Sequence, residues 1–174
     1  MECMMKWFLS LLAILGLCAC NPPTSTTHLP YPDQNFAFTF EFGSCNRDTL
    51  DTFSGTFTKD MIVDPAVAIP FQLSNSQTTE IYKKMVEMGF FEYPEIFSIP
   101  TPPNGIVGIV TPAMRYQITV RNGDLTKKLL WVDEITDPTM PEADNLRSLF
   151  LLIISTIQNS EEYKQLPEPR AGCV

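Results

Sequence analysis

Histidine is almost missing from this chain: its one imidazole, His28, stands in a proline-rich stretch. Acid/base pairs built on histidine, serine–histidine triads and histidine-rich zinc sites therefore have no positioned member. A glycine-rich phosphate loop and a calcium loop of EF-hand spacing are also lacking. Positive charge is scarce, with 12 Lys and Arg against 20 Asp and Glu and a formal charge of −8. Nucleic acid is bound through clustered basic side chains, so it is excluded as a partner, and so is direct attraction to anionic headgroups. No apolar run reaches the roughly 20 residues that cross a bilayer.

The run that is present, "WFLSLLAILGL" from Trp7 to Leu17, follows Lys6 and ends in small residues. That is the layout of a secretory leader. Leu17-Cys18-Ala19-Cys20 resembles the lipobox of bacterial lipoproteins, with an aliphatic residue three places before the cut and cysteine as the first mature residue. Cys18 is a mild departure from the Ser, Ala, Thr or Val usual at that place. The resemblance implies removal of residues 1–19, a diacylglyceryl group on Cys20, and attachment to the membrane through it. Two acyl chains hold stably without a basic patch. Met4 and Met5 offer later starts that would drop Glu2 from the leader. Asn21 is not the aspartate that favours retention at the inner membrane. The implied location is the outer membrane of a cell with two membranes, and otherwise the outer face of the cytoplasmic membrane.

Residues 20–35, with Pro22, Pro23, Pro30 and Pro32 and few apolar side chains, read as a tether. Residues 36–174 are long enough for one domain with one core. In an oxidising envelope Cys45 and Cys173 could close a disulfide, or remain two separate thiols.

Within the domain, Phe36, Phe38, Phe40 and Phe42 alternate with Ala37, Thr39 and Glu41, the period of a half-buried strand. "TFSGTFTKDM" predicts a second strand with Phe53, Phe57 and Met61 inward and a bulge or close packing at Gly55. "VAIPFQL" predicts a third, kept to an edge by Pro70. Ser74 and Gln77 form a capping box before a helix carrying Ile81, Tyr82, Met85, Val86 and Met88, which Gly89 ends. Asn122-Gly123 suits a two-residue turn that sets Val120 opposite Leu125, Tyr116 opposite Leu129 and Met114 opposite Trp131. Pro141 and the acids after it open a last helix with Leu146, Leu149, Phe150, Ile153, Ile154 and Ile157 on its buried side. The fold class expected is α+β, an antiparallel sheet of about five strands in the order β-β-β-α-β-β-α, with two helices on one face.

The segment 92–113 holds five prolines and two glycines and predicts a long connection without an element of its own. Its apolar residues and the aromatics leading into it, Phe91, Tyr93, Phe97, Ile106, Val107, Ile109 and Val110, are the candidate interaction loop. Exposed, they would dock an envelope protein; folded back, they would finish the core. "DEITDPTMPEAD" gathers Asp133, Glu134, Asp137, Glu142 and Asp144, which suit capping and helix-dipole roles better than a cation site.

The phrases "FTKDMIVDP", "IYKKMVEMGFFEYPE", "LLWVDEITDP" and "EEYKQLPEPRAG" resemble a group of bacterial lipoproteins and secreted proteins that carries them in the same order. The resemblance implies one bacterial envelope domain and brings no active site with it. No cofactor, metal or catalytic residue is implied, so the sequence favours a non-catalytic binding module anchored in the envelope. The alternatives are a carboxylate-dependent envelope hydrolase and an inhibitor-like protein.

Overall fold

The structure is a computed structural model that describes residues 31–101, 108–136 and 140–171. His28 and Cys20 lie outside the described residues. The fold is α+β, built on a single seven-stranded sheet in the order β4-β3-β2-β1-β6-β7-β5.

Strand β1 (Ala37–Gly43) buries Phe38, Phe40 and Phe42 and leaves Thr39 and Glu41 half-exposed on the other face. Strands β2 (Asp48–Asp51), β3 (Thr56–Met61) and β4 (Asp64–Pro70) follow as an antiparallel meander. Four strands thus precede the first helix, where alternation predicts three. The reason is a turn at Thr52–Gly55: Phe53 lies in it, 42% exposed, and Gly55 serves it with φ +67°. Strand β4 sits at the sheet edge, where Pro70 costs no ladder bond.

Helix α1 (Asn75–Glu87) starts at Ser74, whose Oγ accepts from the Gln77 N–H while the Gln77 side chain accepts from the Ser74 N–H. Gly89, at φ +68°, stops it in the left-handed conformation. A short 3₁₀ turn (Phe90–Glu92) leads to β5 (Ile96–Phe97), which pairs parallel with β7 at the opposite edge.

Strands β6 (Gly108–Asn122) and β7 (Leu125–Thr136) form the long hairpin. Its register differs from the expected one by two residues: Tyr116 faces Trp131, Ile118 faces Leu129, and Asn122 faces Leu125. The turn is Gly123-Asp124, with positive φ at Gly123 alone, the pattern in which glycine takes the first central place. A slip of two keeps every side chain on its face, so the core residues are those the alternation selects. Asn122 then spends its side chain outside the turn, bonding the Tyr82 hydroxyl and the Asp33 N–H.

Helix α2 (Pro141–Gln158) has Pro141 in its first turn and buries Leu146, Leu149, Phe150, Ile153 and Ile157. Leu151, on its far side, is 60% exposed, so the run Leu149–Ile154 is not buried all round. A short α3 (Glu161–Lys164) follows where a polar tail was expected. Both long helices cover one sheet face. Phe150 lies 5.1 Å from Phe40 and 4.6 Å from Tyr116, and Tyr82 packs edge-on against Phe36 at 5.1 Å. The other face is uncovered among the described residues; Thr39, Thr49, Thr58, Gln117 and Thr119 make its middle polar, and Val132 and Ile96 make its β7–β5 side apolar.

Candidate functional site

The candidate loop divides into three parts. Tyr93 and Phe97 are in the core, 8% and 7% exposed: Phe97 stands edge-on to Trp131 at 5.3 Å, and the Tyr93 hydroxyl donates to the Glu142 carbonyl at 3.1 Å. Burial pushes the Tyr93 phenol up from its ordinary range. Phe91 is half-buried against Phe90 and Tyr82. These three finish the core, and Tyr93 and Phe97 also wall a surface groove of about 430 Å³ against Pro141 and Asn145. Ile106 and Val107 lie outside the described residues.

Ile109 and Val110 behave differently. They belong to the first half of β6, so the expected connection contains strand structure. Ile109 is 73% and Val110 44% exposed. Proline and glycine concealed this strand, because both are poor strand formers. Its pairing is irregular: Ile109 faces Ile135 and Met114 faces Asp133, so residues 110–113 oppose Glu134 alone. A bulge of that kind bends and twists the ribbon.

Pairing between β1 and β6 ends at Gly43 and Arg115, and β5 reaches only Trp131 of β7. Beyond those points residues 108–114 and 132–136 project as a two-stranded ribbon. Among the described residues no strand pairs with the outer edge of either arm. Val132, 42% exposed, and Ile96, 71% exposed on the adjoining edge strand, are apolar too, but the register puts them on the sheet's other face, with Gln117 and not with Ile109 and Ile135. Neither was singled out by the sequence, since an alternating strand always leaves some apolar residues outside.

The ribbon is fixed at its base by the acids expected to cap. Arg147 of α2 holds Asp133 through two bonds, takes Asp144 at 2.9 Å and donates to the Ile135 carbonyl at 3.2 Å. The bond to Asp133 and the charges around it hold the Arg147 guanidinium above its ordinary range, so it stays charged. Asp137 lies outside the described residues. Among the described residues, no three His, Cys, Asp or Glu side chains come together as a metal site would require.

A second feature was not foreseen. On the core side of β3, Phe57 and Met61 flank Lys59, only 3% exposed, and the β2–β3 register extended by one residue sets the buried Asp48 across from it. They line a cavity of about 300 Å³ with Asn46, Gln158, Tyr163 and Glu168. Lys59 Nζ donates to Glu168 Oε1 at 3.2 Å and lies 5.0 Å from the centre of the Tyr163 ring. Burial is the main influence on the Asp48 carboxyl and pushes it up, while the Asp60 N–H, Asn46 and Lys59 pull it down. The sequence carried one signal of this site: the alternation Phe57, Lys59, Met61 puts a lysine at an inward position.

Cys45 is disulfide-bonded, which removes it as a thiol nucleophile. Cys173, its expected partner, lies outside the described residues. Comparison with protein-family models and with curated proteins finds no match for this chain.

Proposed function

We propose that the chain is a lipid-anchored module of the bacterial cell envelope, held by Cys20 and a short tether, that docks another envelope protein through the β6–β7 ribbon. The observation that carries this reading is the ribbon itself. Ile109, Val110 and Val132 are exposed on two strands whose outer edges are unpaired among the described residues. Proteins normally blunt such edges with charge, proline or a bulge, or cover them; the ribbon has Pro112, Glu134 and a bulge, yet Ile109 and Val110 stand exposed among them. A partner strand added to such an edge gains backbone bonds for affinity and side-chain pockets for specificity. The leader, the lipobox resemblance and the phrase-level resemblance to envelope proteins support the location. Among the described residues, no helix is long and apolar enough to cross a membrane, so in this reading the lipid does the anchoring.

The test is a photo-crosslinking residue placed at Ile109 in the native host, beside the same residue at Val63, an exposed valine in the turn between β3 and β4 at the opposite side of the sheet. A discrete adduct at Ile109, absent at Val63 and reduced by Val110→Asp, is the expected result. Equal yields at the two positions would remove the ribbon as the docking surface.

A further inference from the structure

Lys59 and Asp48 occupy core-facing positions where apolar residues would serve the fold better. Burying an ionisable group costs free energy that an apolar residue would not, so a lysine and a carboxyl at the wall of a cavity call for another use. The cavity has two halves. Phe42, Met114 and Ile154 give one apolar wall, and Lys59 is the cation of the other. The chain's own Glu168 shows which group that cation takes. Its carboxylate sits on Lys59 Nζ at 3.2 Å while its side chain is 85% exposed, against 4% for the lysine.

We propose that this cavity is a binding site for a small amphipathic monocarboxylate, whose head group replaces Glu168 on Lys59 and whose apolar part lies against Phe42, Met114 and Ile154. The site is separate from the ribbon and does not depend on the docking reading. A single negative charge is selected because Asp48 stands beside the lysine and Glu168 at the mouth, so a dianion would meet two carboxylates. Glu168 can yield at low cost, since a carboxylate mostly in water gains little from one partly exposed pair. The tail need not lift with it: Arg170 is separately paired with Asp64. Glu168 is then the built-in occupant that a ligand must displace.

The experiment follows the methyl resonances of Met114 and Ile154 in the full-length protein during titration with hexanoate, with hexan-1-ol as the uncharged control. Hexanoate is expected to shift both and hexan-1-ol neither. Glu168→Gln should tighten hexanoate by about two- to fivefold, the range a partly exposed ion pair represents. Lys59→Met should abolish the shifts while the spectrum remains that of the folded protein. Equal response to hexan-1-ol, no response in Glu168→Gln, or unchanged binding in a folded Lys59→Met protein would each overturn the assignment. If Lys59→Met does not fold, the hexanol comparison and Glu168→Gln decide it alone.

Discussion

Arg147 and Asp133 meet as two planar groups, Nη2 to Oδ1 at 2.6 Å and Nε to Oδ2 at 2.9 Å, joining the first turns of α2 to the far end of β7. The same guanidinium lies 5.3 Å from the centre of the Trp131 ring and bonds the Ile135 carbonyl. One side chain thus ties the helix layer to the root of the ribbon. Lysine would keep the charge but lose the planar fork. Arg147→Lys should cost about 1.5–3 kcal/mol, the scale of hydrogen bonds to charged groups, and hydrogen exchange at residues 133–136 should quicken more than in β1. An unchanged exchange pattern would show that the ribbon holds its position without Arg147.

Asp48 makes stability depend on pH in a direction opposite to that of a salt-bridged surface carboxylate. Facing it are Lys59, the Asp60 carboxylate and N–H, and Asn46, and burial outweighs them to raise its pKa from the ordinary 3.8. The protonated form is favoured by folding, so the stability this group contributes is full below the unfolded value and is lost as pH rises through the folded value. Asp48→Asn cannot ionise. Denaturant unfolding should show the variant gaining on the parent protein as pH rises from below the ordinary 3.8; a constant difference would contradict the direction of the shift.

Phe150 is the aromatic through which α2 meets the sheet, within 6.4 Å of Phe40, Tyr116 and Trp131. It is fully buried. Phe150→Ala leaves a cavity among rings that cannot all move inward, so the expected loss is about 3–5 kcal/mol in denaturant unfolding. Leu151→Ala, one residue on and exposed, should stay within about 0.5 kcal/mol.

Ile62, in the turn between β3 and β4, has φ +66°, a conformation that branched side chains rarely adopt. Its N–H bonds Asp60 Oδ1 at 2.8 Å, which helps to hold it there. Ile62→Gly relieves a left-handed penalty of about 1–2 kcal/mol and adds backbone freedom to the unfolded chain. A net gain of roughly 0.5–1 kcal/mol is expected from the difference between these two effects. A loss would mean that the partly exposed Ile62 side chain packs usefully.

Where one physical signal acted alone, the sequence was legible. The four alternating phenylalanines define β1, Ser74 and Gln77 start α1, Gly89 ends it, and threes and fours from Leu146 to Ile157 mark the face of α2 that packs inward. Legibility failed where signals competed. In the hairpin both Asn122 and Gly123 suit a turn, and only the fold shows that glycine takes its first central place, which moves the register by two. Strand β2 is four residues with two aspartates, one of them buried, so polarity hid its inward face. The ribbon was masked by Gly108 and by Pro112, which backbone pairing tolerates at a bulge. Of the seven residues chosen as an interaction loop, Tyr93 and Phe97 are buried and Phe91 half-buried, because sequence gives apolarity but not the side of the surface. The Lys59 cavity needed β2, β3, α2 and the tail together, elements spread over more than a hundred residues.

The reading of this chain as a tethered envelope module rests first on Cys20, and intact mass spectrometry of the native protein under non-reducing conditions tests it most directly. The account predicts a membrane-fraction chain that begins at Cys20, carries the mass of added lipid, and loses both the mass and the membrane association in Cys20→Ala. A chain cut after Ala19 with an unmodified cysteine, recovered from the soluble fraction, would contradict it.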